Sequence, residues 1–116
     1  PDFLIASSEW FAFVPAKEYF DEPGDHADEL ETSVMMHYHP ELVNLDEAGN
    51  GDYKKFTSQM LNEKVAWIPR NWQKVSQDTG IGNPKKASAG KGKKYAEAVV
   101  AKYALLFEEL VHKELY

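Results

Sequence analysis

The sequence contains no cysteine among its 116 residues. Disulfide bonds, thiolate zinc sites, iron–sulfur clusters and a cysteine nucleophile are therefore excluded. The sequence also lacks any apolar run near the ~18 residues that a membrane helix requires, and its start lacks the basic, apolar and small-residue pattern of a secretory signal. These absences predict a soluble cytoplasmic protein that has no membrane partner.

Basic residues are scarce in the first half of the chain. Residues 1–52 contain thirteen acidic residues and a single basic one, whereas residues 53–116 contain six acidic and twelve basic residues. The two halves should therefore attract each other. The formal net charge of −6, with no clustered basic stripe, argues against a nucleic-acid surface, which needs Lys and Arg to replace counterions.

What the sequence does have is apolar material. Hydrophobic residues make up 43% of the chain and aromatic residues 13%, which is enough to build the core of one small domain over residues 1–116. Intrinsic disorder throughout is not expected for such a composition. Because the chain starts at Pro1 and enters an apolar run at once, we expect it to be part of a longer polypeptide.

Hydrophobic periodicity predicts strands and helices in alternation. Short apolar runs bounded by turn residues favour strands at 1–8 and 64–69, and residues 9–14 could form another extended piece or a lid. Helical spacing extends from Asp25 to Pro40 and again over 87–112. This order is typical of an α/β layer structure. Two or three strands make only a thin sheet, so we expect further strands from elsewhere.

The densest charge lies in residues 18–31, where seven carboxylates occur without a single Lys or Arg. One interpretation is a solvated loop leading into an acidic helix N-terminus, with Asp25 as the N-cap. The other is a cation site. An EF-hand is excluded, because the segment lacks the alternating ligands, the central Gly and the closing Glu of that loop.

Glu31 is singled out by its place on the first predicted helix. At about 100° per residue, Glu31 falls roughly 40° from Ala27, inside the apolar stripe, whereas Asp28 and Glu29 fall outside it. An inward carboxylate is costly unless it meets a cation or hydrogen-bond donors. Glu31 is therefore a candidate catalytic residue, and a structural Glu bonded to backbone amides remains the alternative.

His26 precedes Glu31 by about 140° of helical rotation, so both could serve one site only if His26 lies on the loop at the helix entrance. A histidine among carboxylates is a candidate general acid or base, although a plain surface histidine is the alternative. Asp25 and Trp10 are candidate substrate-binding residues, although the aromatic composition of residues 9–14 favours a place in the core for Trp10. No metal ligand is assigned, since His37 and His39 would lie about 200° apart on a helix.

Two motifs in order resemble the creatininase family of metal-dependent amidohydrolases. The first is His-Ala-Asp-Glu-Leu-Glu-Thr-Ser at 26–33, followed by His-Pro-Glu-Leu-Val-Asn at 39–44. The second is Gly-Ile-Gly-Asn-Pro at 80–84, followed by Ala87-Ser88 and a glycine at position 92. The chain departs from the family pattern where Asp28 replaces a common Gly, Asn83 a common Asp and Ser88 a common Thr.

The resemblance implies a three-layer α/β/α fold, often hexameric, with two zinc or manganese ions that activate water against a small cyclic or linear amide such as creatinine. By the same resemblance, His26 matches the family histidine that passes a proton to the leaving nitrogen. Glu31 matches the signature glutamate beside the metals. Trp10 and Phe20 are the two candidates for the aromatic residue that family members supply from a flap.

The family's metal ligands come from an N-terminal half that nothing in this sequence matches. The chain therefore resembles the C-terminal half of such an amidohydrolase, and we expect it to be inactive alone. Two alternatives remain open at this point. The chain could be a non-catalytic binding module whose acidic loop takes up cations or basic partners, or a degenerate homologue that serves as an oligomeric scaffold.

Overall fold

A computed structural model describes residues 3–114, and its regular structure is helical. Four α-helices are present in this range: α1 at Glu29–Tyr38, α2 at Gln59–Asn62, α3 at Trp72–Val75 and α4 at Ala89–His112. Single turns of 3₁₀-helix occur at Trp10–Ala12, Ala16–Glu18 and Pro40–Leu42. Within residues 3–114, α1 and α4 are therefore the only helices longer than four residues.

The predicted strands at 1–8 and 64–69 are wrong over the described residues. Residues 3–8 and 64–69 are irregular, and the ladder contacts within residues 3–114 are two isolated antiparallel bridges, His26 with Ile81 and Tyr53 with Ser76. A strand needs a neighbouring strand to receive its backbone hydrogen bonds, and neither run finds one here. Pro1 and Asp2 lie outside the described residues. The three-layer α/β/α arrangement stays a prediction.

Helix α1 begins at Glu29, four residues after the predicted start. Ala27 adopts a left-handed backbone with φ of 48°, which no α-helix accommodates, and Asp28 rather than Asp25 is the N-cap. Its carboxylate accepts a hydrogen bond from the amide of Glu31 at 2.9 Å. The helix ends at Tyr38, just before Pro40, as predicted.

Helix α4 confirms the long C-terminal helix predicted from the sequence, starting two residues later than expected. Ser88 is its N-cap and accepts a hydrogen bond from the amide of Lys91. Tyr95 and Val99 on its predicted apolar face are buried. Among the helices of residues 3–114, α4 included, none combines the length and the apolar character that crossing a membrane requires.

Helices α1 and α4 pack closely where Gly92 meets Ser33. A Cβ atom on Gly92 would lie 1.9 Å from the backbone oxygen of Ser33, so only glycine permits this approach. The buried Ser33 hydroxyl accepts a hydrogen bond from the amide of Ser88 at 3.0 Å, which joins α1 to the N-terminus of α4. This crossing holds the start of α1, and with it residues 26–31, against the rest of the chain.

Tyr95 is the centre of the core. It is fully buried with Phe20, Leu30 and Val99 around it, and aromatic residues from the N-terminal turns cover this cluster. Its hydroxyl donates to the backbone oxygens of Phe11 at 2.9 Å and of Val14 at 3.4 Å. Burial raises the pKa of the Tyr95 hydroxyl, with a smaller contribution from Tyr19 and Asp28, so it stays protonated as a donor.

Candidate functional site

The loop at residues 24–28 is anchored to residues 80–82. The amides of Asp25 and His26 both donate to the carbonyl oxygen of Ile81, at 2.8 and 3.0 Å, and the Ile81 amide donates back to the His26 oxygen at 2.8 Å. Ile81 is 1% exposed. A Cβ on Gly24 would lie 2.8 Å from the Cα of Gly82, so glycine is required at this contact. The two motifs found in the sequence therefore meet at this loop.

Asp28 fastens the same loop to the start of α1. One carboxylate oxygen accepts from the amide of Gly24 at 2.5 Å, while the other accepts from the amide of Glu31. Asp28 is 3% exposed. The departure from the family pattern at this position thus supplies a buried carboxylate that fixes the shape of the loop beside His26.

His26 lies on this loop with its ring held on two sides. Its Nδ1 contacts the Asp25 carboxylate, and the edge of the ring packs on Trp72 with 4.9 Å between ring centroids. Arg70 donates from Nη2 to the same Asp25 oxygen at 2.7 Å. Since Nδ1 faces a carboxylate, its proton points to Asp25, and Nε2 is left for proton exchange.

The electrostatics of this group keep Asp25 ionised. Burial alone would raise the pKa of the Asp25 carboxyl, but hydrogen bonds from Arg70 and from His26 outweigh it, so that the pKa lies below its ordinary value. An ionised Asp25 is the form that accepts the Nδ1 proton.

Glu31 is half-buried and reaches back to the loop. Its Oε2 accepts a hydrogen bond from the amide of Ala27 at 2.7 Å. Together with the bond from the Glu31 amide to Asp28, this forms a reciprocal pair of caps at the helix entrance, similar to a capping box. The side chain therefore has the backbone-amide partner foreseen in the structural alternative, and it also borders a cavity.

Glu29 and Asp28, at 0% and 3% exposed, are more buried than Glu31, so the expectation that these two carboxylates face away from the interior is wrong. That expectation measured helical rotation from Ala27, which has a left-handed backbone and is not part of α1. It also took no account of contacts with residues that precede the helix. Glu29 accepts hydrogen bonds from Lys91 Nζ at 2.5 Å and from the amide of Glu22 at 2.6 Å. A buried charge persists when it is paired in this way.

The acidic segment is neutralised by the second half of the chain, which confirms the expected attraction. Lys91 also pairs with Asp21 at 2.8 Å, and the hydrogen bonds that Lys91 donates to Asp21 and Glu29 raise the pKa of its ammonium group. The same Lys91 lowers the pKa of Asp21. Further pairs join Glu22 to Lys86 and Asp25 to Arg70. These contacts favour the structural interpretation of the segment over a cation site.

Two cavities flank the 24–28 loop. The larger, of about 600 Å³, is bordered by Trp10, Ala27 and Glu31 and by residues of the 42–51 and 78–84 loops. The smaller, of about 450 Å³, is bordered by Asp25 and Arg70 and by residues of 53–68 and Val75. Atoms on either side of the loop are therefore accessible to small molecules.

Comparisons with known proteins agree on one family. The family model described as "Creatininase: Creatinine amidohydrolase" matches residues 4–107, which include both sequence motifs. The chain belongs to the creatininase family. No curated protein gives a significant match. The resemblance stated on residues 26–44 and 80–92 is therefore confirmed.

A solved structure extends this result. The chain is 59% identical to a Bacteroides fragilis NCTC 9343 protein provisionally named creatinine amidohydrolase, and the two superpose with a TM-score of 0.91 over 100% of this chain. The match covers 46% of that protein, so the chain spans about half the length of this relative. At this identity the creatininase-like fold of residues 3–114 is established.

The creatininase fold brings the predicted site residues together in two pairs. Trp10 and Glu31 border the larger cavity, whereas Asp25 borders the smaller one and contacts His26. Trp10 also packs on Tyr95, with 6.2 Å between ring centroids, so one side chain both contacts the core and borders the larger cavity. The roles assigned to these four residues stay predictions.

Sequence reasoning missed Arg70 and Trp72. They lie more than forty residues from His26 along the chain, in a stretch without helical or strand periodicity, and no spacing rule connects them to it. One signal was available: Arg70 is the sole arginine of the chain, directly after Pro69. A guanidinium suits the recognition of a carboxylate better than an ammonium does.

The metals implied by the family need several converging ligands. Within residues 3–114 no group of three or more His, Asp or Glu side chains converges as metal ligands would. The carboxylates near His26 are occupied by backbone amides, Lys91 or Arg70. The described residues therefore do not fit a complete metal site.

Proposed function

We propose that this chain supplies the proton-transfer part of an amidohydrolase acting on a small cyclic or linear amide of the creatinine kind. The proposal rests on one observation above all, the contact of His26 Nδ1 with the Asp25 carboxylate. Membership of the creatininase family supports hydrolysis of an amide as the reaction class. The proposal places His26 in a catalytic role and Asp25 beside it.

Amide hydrolysis needs a group that moves a proton from attacking water to the leaving nitrogen. As water adds to the carbonyl carbon, Nε2 of His26 takes up its proton, and the imidazolium formed is stabilised by the ionised Asp25 at Nδ1. The imidazolium then gives the proton to the nitrogen as the C–N bond breaks. The ring ends neutral; a linear amide yields a carboxylic acid and an amine, and a cyclic amide yields one opened product that carries both groups.

Glu31 serves the same loop from the side of α1. Because its Oε2 accepts from Ala27, the residue directly after His26, the carboxylate restrains the backbone that carries the catalytic ring. We propose that Glu31 also presents its other oxygen to the larger cavity, where Trp10 provides an aromatic wall for the substrate.

Zinc or manganese, if bound by the complete protein, would supply a water made acidic enough to attack at neutral pH. The described residues do not form such a site, so its ligands would come from outside residues 3–114. We propose that the chain acts together with a region equivalent to the part of the Bacteroides fragilis protein that it does not cover, and that it has no turnover alone. Assembly into a homo-oligomer is part of the same proposal.

The test is amide turnover by the chain co-expressed with that uncovered region, with creatinine and small lactams as substrates. His26→Ala should lower kcat by ~10²-fold or more at unchanged metal content, since general acid–base catalysis contributes about that much. Unchanged turnover in His26→Ala would remove the histidine from the mechanism. Absence of any turnover with the unaltered chain would contradict the proposed function.

His39 offers a matched control. Its Nδ1 lies 3.1 Å from the Glu41 carboxylate, and both side chains are more than half exposed, so it forms an exposed His–carboxylate pair that borders neither cavity. His39→Ala should leave kcat within about twofold of the unaltered chain. An equal loss in both variants would point to general damage rather than to catalysis.

A further inference from the structure

We propose that Arg70 is a positioning residue for His26, acting through Asp25. It pins the carboxylate so that Nδ1–H stays bound and Nε2 remains the nitrogen that exchanges protons. The catalytic meaning of this arrangement rests on the proposed function. The arrangement itself can be measured without turnover.

The geometry places the guanidinium where it can hold only one carboxylate conformation. Arg70 Nη2 donates to Oδ1 of Asp25, which is the same oxygen that faces Nδ1 of His26. Nη2 also lies 3.3 Å from that ring nitrogen, but a guanidinium has no acceptor, so with a proton on Nδ1 both Arg70 and His26 donate to the Asp25 oxygen rather than to each other. The three polar groups therefore share one small volume, and rotation of Asp25 would break both contacts at once.

Trp72 braces the arginine and the histidine together. The guanidinium carbon of Arg70 lies 5.3 Å from the centroid of the Trp72 ring, and the same ring packs against His26. Cation–π contact favours a planar guanidinium over an aromatic face. Since Trp72 opens helix α3, the short helix fixes the position of both residues relative to the loop.

The exposure of Asp25 and His26 explains why the contact between Arg70 and Asp25 matters. The side chain of Arg70 is 25% exposed, whereas those of Asp25 and His26 are 41% and 47% exposed. A carboxylate this exposed gains rotamer entropy and hydration by turning to solvent. Released from Asp25, a neutral imidazole would populate both tautomers, and the Nε2–H form cannot accept the proton of an attacking water at that nitrogen.

The experiment is nitrogen-15 NMR of the ring-labelled 116-residue chain, with the signals of its four histidines assigned through His26→Ala. In the unaltered chain the neutral His26 ring should be mainly Nδ1–H. Arg70→Gln should shift it toward Nε2–H, with ~half or more of the population in that form. Lys74→Gln, at an exposed cation on α3, should leave the His26 spectrum unchanged.

A second pair of variants separates positioning from a general structural effect. Asp25→Asn should produce the same tautomer shift, and adding Arg70→Gln to it should change nothing further, because Arg70 acts through Asp25. Arg70→Lys keeps the charge without the planar fork and should recover part of the Nδ1–H population. If Arg70→Gln lowers the helix content of the chain, the test uses the Nδ1–H populations of His26 in Arg70→Lys and Asp25→Asn instead.

An unchanged Nδ1–H population in folded Arg70→Gln overturns the inference, as does an additive effect in the double variant. In the co-expressed protein, Arg70→Gln should reduce kcat by ~10-fold with little change in KM. If Arg70→Gln shifts the His26 tautomer but the co-expressed protein with the unaltered chain shows no turnover, the positioning role is kept and the proposed function is rejected. The two failures are therefore distinguishable.

Discussion

The helix pair α1 and α4 and the connecting stretch 43–79 differ sharply in how they are held. The helices enclose a core in which Tyr95, Glu29 and Ser33 are 0% exposed. In the connecting stretch Gly51 is the only buried residue, and Trp67 is 82% exposed. The candidate site lies at the boundary, where a loop fixed to the helices meets Arg70 from the connecting stretch. Stability and site chemistry therefore depend on different parts of the chain.

The helix crossing should be the most sensitive point. Gly92→Ala places a methyl group 1.9 Å from the Ser33 backbone oxygen, and because backbone cannot move aside cheaply, we expect a loss of about 3 kcal/mol in the free energy of unfolding. Urea denaturation followed by circular dichroism measures it.

Gly90 is the matched control on the same helix. A Cβ atom there meets nothing within 4 Å, so Gly90→Ala should raise stability by up to about 1 kcal/mol through helix propensity alone. If Gly92→Ala stabilised the protein as much as Gly90→Ala does, α1 and α4 would not pack through Gly92.

Tyr95→Phe should cost about 1 kcal/mol, because it removes the donor to the Phe11 and Val14 carbonyls while leaving the ring in place. Urea midpoints at fixed slope report the difference. Tyr38→Phe, at a tyrosine that is 55% exposed, serves as the control and should be neutral. A neutral Tyr95→Phe would show that the N-terminal turns do not depend on this hydroxyl.

Two ion pairs of the acidic segment, Asp21 with Lys91 and Asp25 with Arg70, should be sensitive to acid. The pKa values of Asp21 and Asp25 are lowered from 3.8 by Lys91 and Arg70 respectively, so their stabilisation is present above 3.8 and is lost as the pH falls through the lower folded-state values. Urea midpoints between about pH 5 and 2 should decline less steeply in Asp25→Asn. An identical decline would mean that the Asp25–Arg70 pair adds nothing to stability.

The smallest effect is expected in the connecting stretch. Trp67→Ser removes a side chain that is mostly in water, so the unfolding free energy should change by less than about 0.5 kcal/mol. The melting temperatures of Trp67→Ser and Gly92→Ala, each compared with that of the unaltered chain, test the contrast between the connecting stretch and the helix crossing. A large loss would show that the connecting stretch is part of the cooperative core.

Much of the helical framework was predictable because it is local. The spacing of apolar residues located α4, and Pro40 marked the end of α1. The start of α1 was missed because it depends on the left-handed Ala27, a conformation that alanine rarely adopts. The strands predicted at 1–8 and 64–69 were wrong over the described residues because β-pairing is non-local, and an apolar run does not reveal whether a partner strand exists.

The site was only half predictable for the same reason. His26 and Glu31 were found because the helical rotation of Glu31 and the contiguous family motif that contains both residues can be read from neighbouring positions in the sequence. Glu29 was misjudged because its partner, Lys91, lies 62 residues away. Arg70 joins the site from 45 residues beyond Asp25 through a contact that no periodicity marks. Long-range ion pairs form only once the fold has brought distant segments together.

The most direct test of the oriented histidine is the kcat of Asp25→Asn, His26→Ala and the double variant in the co-expressed protein. If His26 and Asp25 act as one unit, each single variant should lose ~10²-fold or more, and the double variant should be no slower than His26→Ala. Losses that multiply in the double variant, or full activity in Asp25→Asn, would contradict that pairing.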